Sequence, residues 1–154
     1  MSAAAQSEPA KRRPPQFKLR PPDPDEDMLH EAVRNLLDGI LLPPTVWTTF
    51  PAGNYGLTMA AATRLARVGL KSGWPDVQII SDGRFYGLEL KTRTGVLSKS
   101  RQVRTRWGGT RLVMGQLEML RALEAAGARV AVCRSVDDVL HELKRWQIPT
   151  RVRL

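Results

Sequence analysis

Apolar and polar positions change period several times along this chain, and each change marks an element. From Asp25 to Asp38 the apolar residues Met28, Leu29, Ala32, Val33, Leu36 and Leu37 fall at helical spacing, which predicts an amphipathic helix. Acidic residues crowd its first turn, where they suit the positive end of the helix dipole. Pro43-Pro44 blocks any continuation. Val46 to Phe50 predicts a short strand, Pro51-Ala52-Gly53-Asn54 a turn, and Leu57 to Val68 an Ala-rich helix stopped by Gly69. Gly73 to Lys91 then places apolar and β-favouring runs on both sides of Asp82-Gly83, a strong two-residue hairpin signal. Ser98 to Gly115 has no clean period, and Gly108-Gly109 argues against a helix there. Helical spacing returns from about Met114 to Ala126 through Leu117, Met119, Leu120 and Leu123, with Gly127 as the stop. Val130 to Cys133 predicts a buried strand, and Ser135-x-x-Asp138 opens a last helix to about Trp146 like a capping box with Asp in place of Glu. Pro149 to Leu154 predicts an edge strand. The order helix, strand, helix, hairpin, helix, strand, helix predicts an α/β fold, a mixed sheet flanked by helices.

At 154 residues the chain holds one domain with a genuine core. Six of its 11 prolines lie in residues 1–24, with Lys11, Arg12, Arg13, Lys18 and Arg20 against Glu8 and Asp23. That segment is expected to be a disordered basic tail, either a loose electrostatic tether or dispensable, with the folded domain at 25–154. The whole chain carries a formal charge of +9, so its body is basic without the tail. A polyanionic partner is expected, nucleic acid before membrane. No apolar run approaches the roughly 20 residues that span a bilayer, and the basic N-terminus, with no apolar core after it, is not expected to act as a secretory signal. Cys133, the single cysteine, rules out an internal disulfide and fits a reducing cytoplasm. Its apolar setting favours packing over reactivity.

The hairpin carries the chemistry. With Asp82-Gly83 as the turn, Ser81 faces Arg84 and Asp76 faces Glu89, and alternation puts Lys91 on the face of Glu89. Opposed residues have Cβ atoms roughly 5 Å apart, where two bare carboxylates repel. A divalent cation between them removes the conflict, so the hairpin reads as a metal site with a lysine beside it. A Glu-Lys ladder on an amphipathic hairpin has the same spacing. His30 and His141 are too few for a histidine-rich metal motif or a zinc site with Cys133. Gly69-Leu70-Lys71-Ser72 lacks the spacing of a phosphate-binding loop, so no nucleotide cofactor is indicated.

Pro75-Asp76 followed by Glu89-x-Lys91 resembles the signature of the PD-(D/E)XK nuclease superfamily. More of the chain resembles one branch, the VRR-NUC domain. Lys71-Ser72-Gly73-Trp74-Pro75-Asp76 is similar to its K-x-G-x-P-D element, Gly87 to Lys91 to its strand, and Gly95-Val96-Leu97-Ser98 to the following turn. The helix from Gln116 and the strand after Gly127 resemble its glutamine helix and next strand. Trp146-Gln147-Ile148-Pro149 resembles the tail of phage and bacterial members. Glu26-x-x-Leu29-His30-x-x-Val33 resembles its first helix, and Pro51 to Asn54 its Pro-Asn-Gly turn. The resemblance runs in order over residues 25–150. It departs at about 98–115, an Arg-rich segment placed like an insertion before Gln116. Gln102 rivals Gln116 for the family glutamine, but only Gln116 has the helix, the Gly127 stop and the strand.

The resemblance implies a restriction-endonuclease-like sheet and a DNA endonuclease using Mg²⁺ or Mn²⁺. Asp76, Glu89 and the backbone carbonyl of Leu90 would hold the ion, and hard oxygen donors favour both metals. Lys91 would orient or help deprotonate the attacking water and stabilise phosphate charge. Glu26 would look inward from the first helix, though a helix N-terminus alone accounts for an acid there. Gln116 would hydrogen-bond the site or the DNA backbone, or serve as an ordinary polar helix start. Lys71, Lys99, Arg101, Arg104, Arg106 and Arg111 would meet phosphates, with Trp107 stacking on an unpaired base or folded back on the core. Small stand-alone members imply a homodimer acting on branched, Holliday-junction-like or flap DNA in the cytoplasm of a bacterial or phage-infected cell. A catalytically idle DNA-binding or phage accessory module would keep the same fold.

Overall fold

In the computed structural model the chain is described over residues 24–50, 58–105 and 108–152. The expected basic tail before Pro24, the Pro51 to Asn54 turn, and Arg106 and Trp107 lie outside the described residues.

The first helix, α1 (Pro24–Ile40), is followed by β1 (Val46–Thr49) and α2 (Met59–Arg67). The hairpin β2 (Val77–Ser81) and β3 (Arg84–Leu90) comes next. A second pair of strands, β4 (Arg101–Arg104) and β5 (Thr110–Val113), precedes α3 (Gln116–Ala125), β6 (Arg129–Cys133) and α4 (Val136–Arg145). The main sheet has the order β1-β2-β3-β6. Its first two pairings are antiparallel and β3 pairs with β6 in parallel, so the sheet is mixed. This is one small α/β domain, with four helices among the described residues.

The hairpin register follows from its turn. Ser81 opposes Arg84 and Val77 opposes Leu88, so the ladder continues toward Asp76 and Glu89. Val77, Ile79, Tyr86, Leu88 and Leu90 share one face and are buried with Cys133. Val33 and Leu37 of α1, Val139 and Leu143 of α4, and Trp146 just after α4 complete that core, each contributing roughly 1.5–3 kcal/mol by leaving water. Tyr86 packs on Trp146 with ring centroids 5.2 Å apart. On the opposite face Gly87 admits Pro75. A Cβ at Gly87 would lie 2.7 Å from the Pro75 ring, so only glycine lets the Pro75-Asp76 segment lie flat on β3.

Three expectations need correction. Residues 98–115 are not an aperiodic loop but carry the antiparallel ribbon β4–β5, with Gly108 and Gly109 in its turn region. Of the predicted strand from Pro149 to Leu154, the described residues 149–152 form a single bridge, Thr150 with Leu41, flanked by isolated bonds of Leu42 to Pro149 and Arg151 to Ile40, and residues 153–154 lie outside the described residues. At α4, Ser135 Oγ caps the Asp138 amide at 3.1 Å, but the Asp138 carboxylate accepts from the Arg134 amide at 2.7 Å rather than from Ser135.

Candidate functional site

Asp76, Glu89 and Lys91 converge at the open end of the β2–β3 hairpin, all three buried. Asp76 sits just before β2 and turns its Oδ2 onto the Leu90 amide at 2.8 Å, which fixes the carboxylate on the neighbouring strand. Glu89, fully buried, comes from β3 and directs Oε1 to Lys91 Nζ at 2.6 Å. The same Oε1 accepts a short hydrogen bond from Gln116 Nε2. Glu89 Oε2 is buried and makes no hydrogen bond. Lys91 is anchored by its own amide, which donates to Cys133 O at 3.0 Å, and its Nζ lies 3.6 Å from Glu26 Oε1. Glu26 thus does look inward from the first turn of α1. One turn on, His30 Nε2 lies 4.0 Å from Asp76 Oδ2.

Burial pushes the Glu89 carboxyl up to about 7, helped by the negative charge of Asp76 and opposed by Lys91. Asp76 is also raised by burial, against the pull of the Leu90 amide and the charges of His30 and Lys91. For Lys91, burial alone would lower the pKa, but its contact with Glu89 and the charges of Glu89, Asp76 and Glu26 outweigh it and raise the value. The cluster is therefore short of positive charge: two buried carboxylates repel across the hairpin, and one ammonium neutralises only part of that.

The 98–115 segment does not pull Gln116 away from the site. The Gln116 amide donates to Ser98 Oγ at 3.1 Å, and the Ser98 amide donates to Gln116 Oε1 at 3.0 Å. Ser100 repeats the device, with its amide on Glu118 Oε2 at 3.0 Å and its Oγ accepting from the Gly115 amide at 2.9 Å. The ribbon leaves and returns at one point, so Gln116 reaches Glu89. Gln102 instead lies on β4 opposite Leu112, exposed and part of the ribbon. Gly73 and Gly115 meet at the ribbon base, where Ser72 Oγ donates to Met114 O at 2.7 Å, and a Cβ at Gly73 would lie 2.6 Å from Gly115 O. This contact brings the Lys71 to Gly73 stretch beside α3. Lys71, Lys99, Arg101, Arg104 and Arg111, on this stretch and the ribbon, are all exposed.

Sequence reasoning missed Arg134. Its guanidinium bonds Thr92 O at 2.5 Å and Arg93 O at 3.3 Å, pinning the turn that follows Lys91. No local pattern signals it. His30 was missed as well, and its place one helical turn after Glu26 is the signal that could have found it.

A divalent cation fits these donors. Glu89 Oε2 is a buried acceptor in need of a positive partner, and Asp76 and Glu89 supply hard oxygens. Among the described residues no group of three or more His, Cys, Asp and Glu is arranged to hold a metal ion, so two carboxylates would need neutral oxygen donors beside them. No family model matches the chain, and neither the curated proteins nor the solved structures contain a significant match to it. Among the described residues no helix is long and apolar enough to cross a membrane.

Proposed function

We propose that the chain is a divalent-metal-dependent DNA endonuclease with a restriction-endonuclease-like fold, in the manner of the VRR-NUC domains it resembles. One observation carries the reading: Asp76, Glu89 and Lys91 are buried together at one hairpin end, with Glu89 Oε2 unpartnered. Burying charges costs several kcal/mol per ion before pairing, and an apolar trio would serve a core better. Such a cluster is best explained by chemistry.

Mg²⁺ or Mn²⁺ would rest on Asp76, Glu89 and the Leu90 carbonyl, and when bound would supply a Lewis acid for the phosphoryl oxygen. The remaining work belongs to the chain's own groups. Lys91 holds its ammonium where an attacking water and a non-bridging phosphate oxygen can be positioned and the developing charge offset. Glu26 steadies Lys91 from the far side. Gln116 fixes the rotamer of Glu89, and the Leu90 amide fixes that of Asp76. Water attacks phosphorus, the bond to the leaving oxygen breaks, and that oxygen takes up a proton. The exposed cations from Lys71 to Arg111 supply the phosphate contacts. Branched DNA as substrate, a homodimer as the working form and a cytoplasmic setting complete the proposal, all on the family resemblance.

The 2.6 Å contact of Lys91 with Glu89 favours a second reading, an idle DNA-binding module in which the ammonium has replaced the cation. Cleavage of a labelled four-way junction, linear duplex and 5′-flap in Mg²⁺, Mn²⁺ or EDTA separates the two. The enzyme reading expects metal-dependent cutting that Asp76→Ala and Lys91→Ala both lose. Binding without cutting in either metal would leave the idle module.

A further inference from the structure

The β4–β5 ribbon has a face that the fold does not use. Arg101, Val103, Arg111 and Val113 share one side, where Val103 and Val113 are half-buried. Gln102, Arg104, Thr110 and Leu112 share the other, and all four are exposed, Leu112 at 59%. From Lys99 to Val113 the sequence holds five basic residues and no acid. An exposed two-stranded edge of this kind carries no core, yet its base is fastened by Ser98, Ser100 and Gly115 directly to the start of α3. The ribbon is thus rigidly rooted beside Gln116 and free of packing at its outer face.

We propose that this ribbon enters the major groove of B-form DNA, with Gln102 and Arg104 on base edges and Lys99, Arg101 and Arg111 on the flanking phosphates. The inference rests on the reading of the chain as a DNA-acting protein and adds the element that grips the duplex. The B-DNA major groove, about 12 Å wide, admits a two-stranded ribbon. Its edges suit this face: arginine pairs with guanine O6 and N7, glutamine with adenine N6 and N7, and an apolar side chain with the thymine methyl. The major groove of A-form RNA is too deep and narrow for side chains to read, so the ribbon distinguishes the two duplexes. Because the ribbon root bonds Gln116, a duplex seated on the ribbon lies beside Glu89.

The test is binding of the full chain to a labelled DNA duplex in EDTA, measured by anisotropy across a salt series, with the same sequence as duplex RNA in parallel. Arg104→Ala, Arg111→Ala and a variant joining Ser100 to Met114 through two glycines are compared with wild type. The ribbon deletion should weaken DNA binding at least about tenfold, Arg111→Ala should flatten the salt slope by about one, and Arg104→Ala should weaken binding about tenfold with little change of slope. Dimethyl sulfate should find guanine N7 protected by wild type and exposed with Arg104→Ala. Unchanged affinity and slope in the point variants overturn the inference, as do protection confined to adenine N3 in the minor groove, tighter binding to duplex RNA, or no duplex binding. All of this is read without metal or turnover, so protection without cleavage retires the nuclease and keeps the ribbon. Cleavage with an unprotected groove does the reverse.

Discussion

Ser98 and Gln116 hold each other through two reciprocal hydrogen bonds, 3.1 Å from the Gln116 amide to Ser98 Oγ and 3.0 Å from the Ser98 amide to Gln116 Oε1. The pair acts as a helix cap contributed from across the ribbon, because Gly115 at the N-cap has no side chain to offer. It also leaves Gln116 Nε2 aimed at Glu89.

Ser98→Ala should therefore cost about 1 kcal/mol of stability by loss of the cap. It should also lower turnover more than substrate affinity, because loss of the cap loosens the Ser98 backbone whose amide holds Gln116 Oε1 and so aims Nε2 at Glu89. Ser98→Thr, which keeps the hydroxyl, should restore both. Chemical denaturation and steady-state cleavage rates check this, and equal behaviour of the Ala and Thr variants would refute it.

Removing the ammonium from the cluster exposes the cost of the carboxylates. In metal-free protein at pH 8, Lys91→Met should lose about 3 kcal/mol, because Glu89 loses its buried ion pair and must either stay charged without a partner or take up a proton. At pH 5 the loss should shrink to under about 1 kcal/mol, because Glu89 is then protonated. A loss that does not change with pH would mean that Lys91 contributes packing alone.

The wild type should show a related pH dependence. Glu89 titrates near 7 when folded against the usual 4.5, so between those values the folded chain holds a proton that the unfolded chain has released. Stability of the metal-free protein should fall as pH rises through that window, by on the order of 1–3 kcal/mol, and level off above it. Asp76, also raised, acts in the same direction. The raised Lys91 keeps its contribution through neutral pH and loses it only in the alkaline range. Glu118 is lowered, so its opposing effect lies below pH 4.5. Thermal melts at pH 5 and pH 8 in EDTA give the answer, and a higher melting temperature at pH 8 would contradict the assignment.

Metal addition should reverse the penalty. A cation between Asp76 and Glu89 should stabilise the fold by about 2.7 kcal/mol at a hundredfold excess over its Kd, and more at pH 8 than at pH 5. Binding should release protons, seen by calorimetry in buffers of different ionisation enthalpy. Asp76→Ala and Glu89→Ala should abolish both signals. Proton-neutral binding, or binding that survives either substitution, would place the ion elsewhere.

The root of the ribbon should tolerate no added carbon. A Cβ at Gly115 would fall 2.3 Å from the backbone carbon of Lys99 and 2.4 Å from Ser98 O. Gly115→Ala should destabilise by about 2 kcal/mol and separate Ser98 from Gln116. Gly109→Ala, whose Cβ would meet only Thr105 Oγ1 at 3.4 Å, should change little. Urea melts of the two variants suffice, and comparable effects would be the wrong result.

Much of this geometry was legible because it is local. Asp82-Gly83 fixes the hairpin register, and the register alone opposes Asp76 to Glu89 and brings Lys91 to their side. Helical spacing likewise placed Val33 and Leu37 in one apolar stripe. The β4–β5 ribbon was illegible for the converse reason: arginine, glutamine and threonine alternate with so few apolar residues that neither face gives a hydrophobic period. The bonds of Arg134 to Thr92 and Arg93, and of Ser98 to Gln116, join segments far apart in sequence, where no spacing rule operates. The arrangement of His30 toward Asp76 depends on how α1 crosses the sheet, which periodicity does not set.

The parallel pairing of β3 with β6 also sets an order of assembly. The β2–β3 hairpin closes through neighbours in sequence and can form early, whereas Leu90 meets Cys133 and Lys91 bonds Cys133 O only after the intervening ribbon and α3 have been laid down. A chain still emerging from the ribosome therefore carries its two carboxylates and its lysine on an unfinished hairpin, without Gln116 behind them or Arg134 to fix the turn. The buried cluster is completed by nearly the last element made, so its charges are paired and enclosed only once the chain is almost whole.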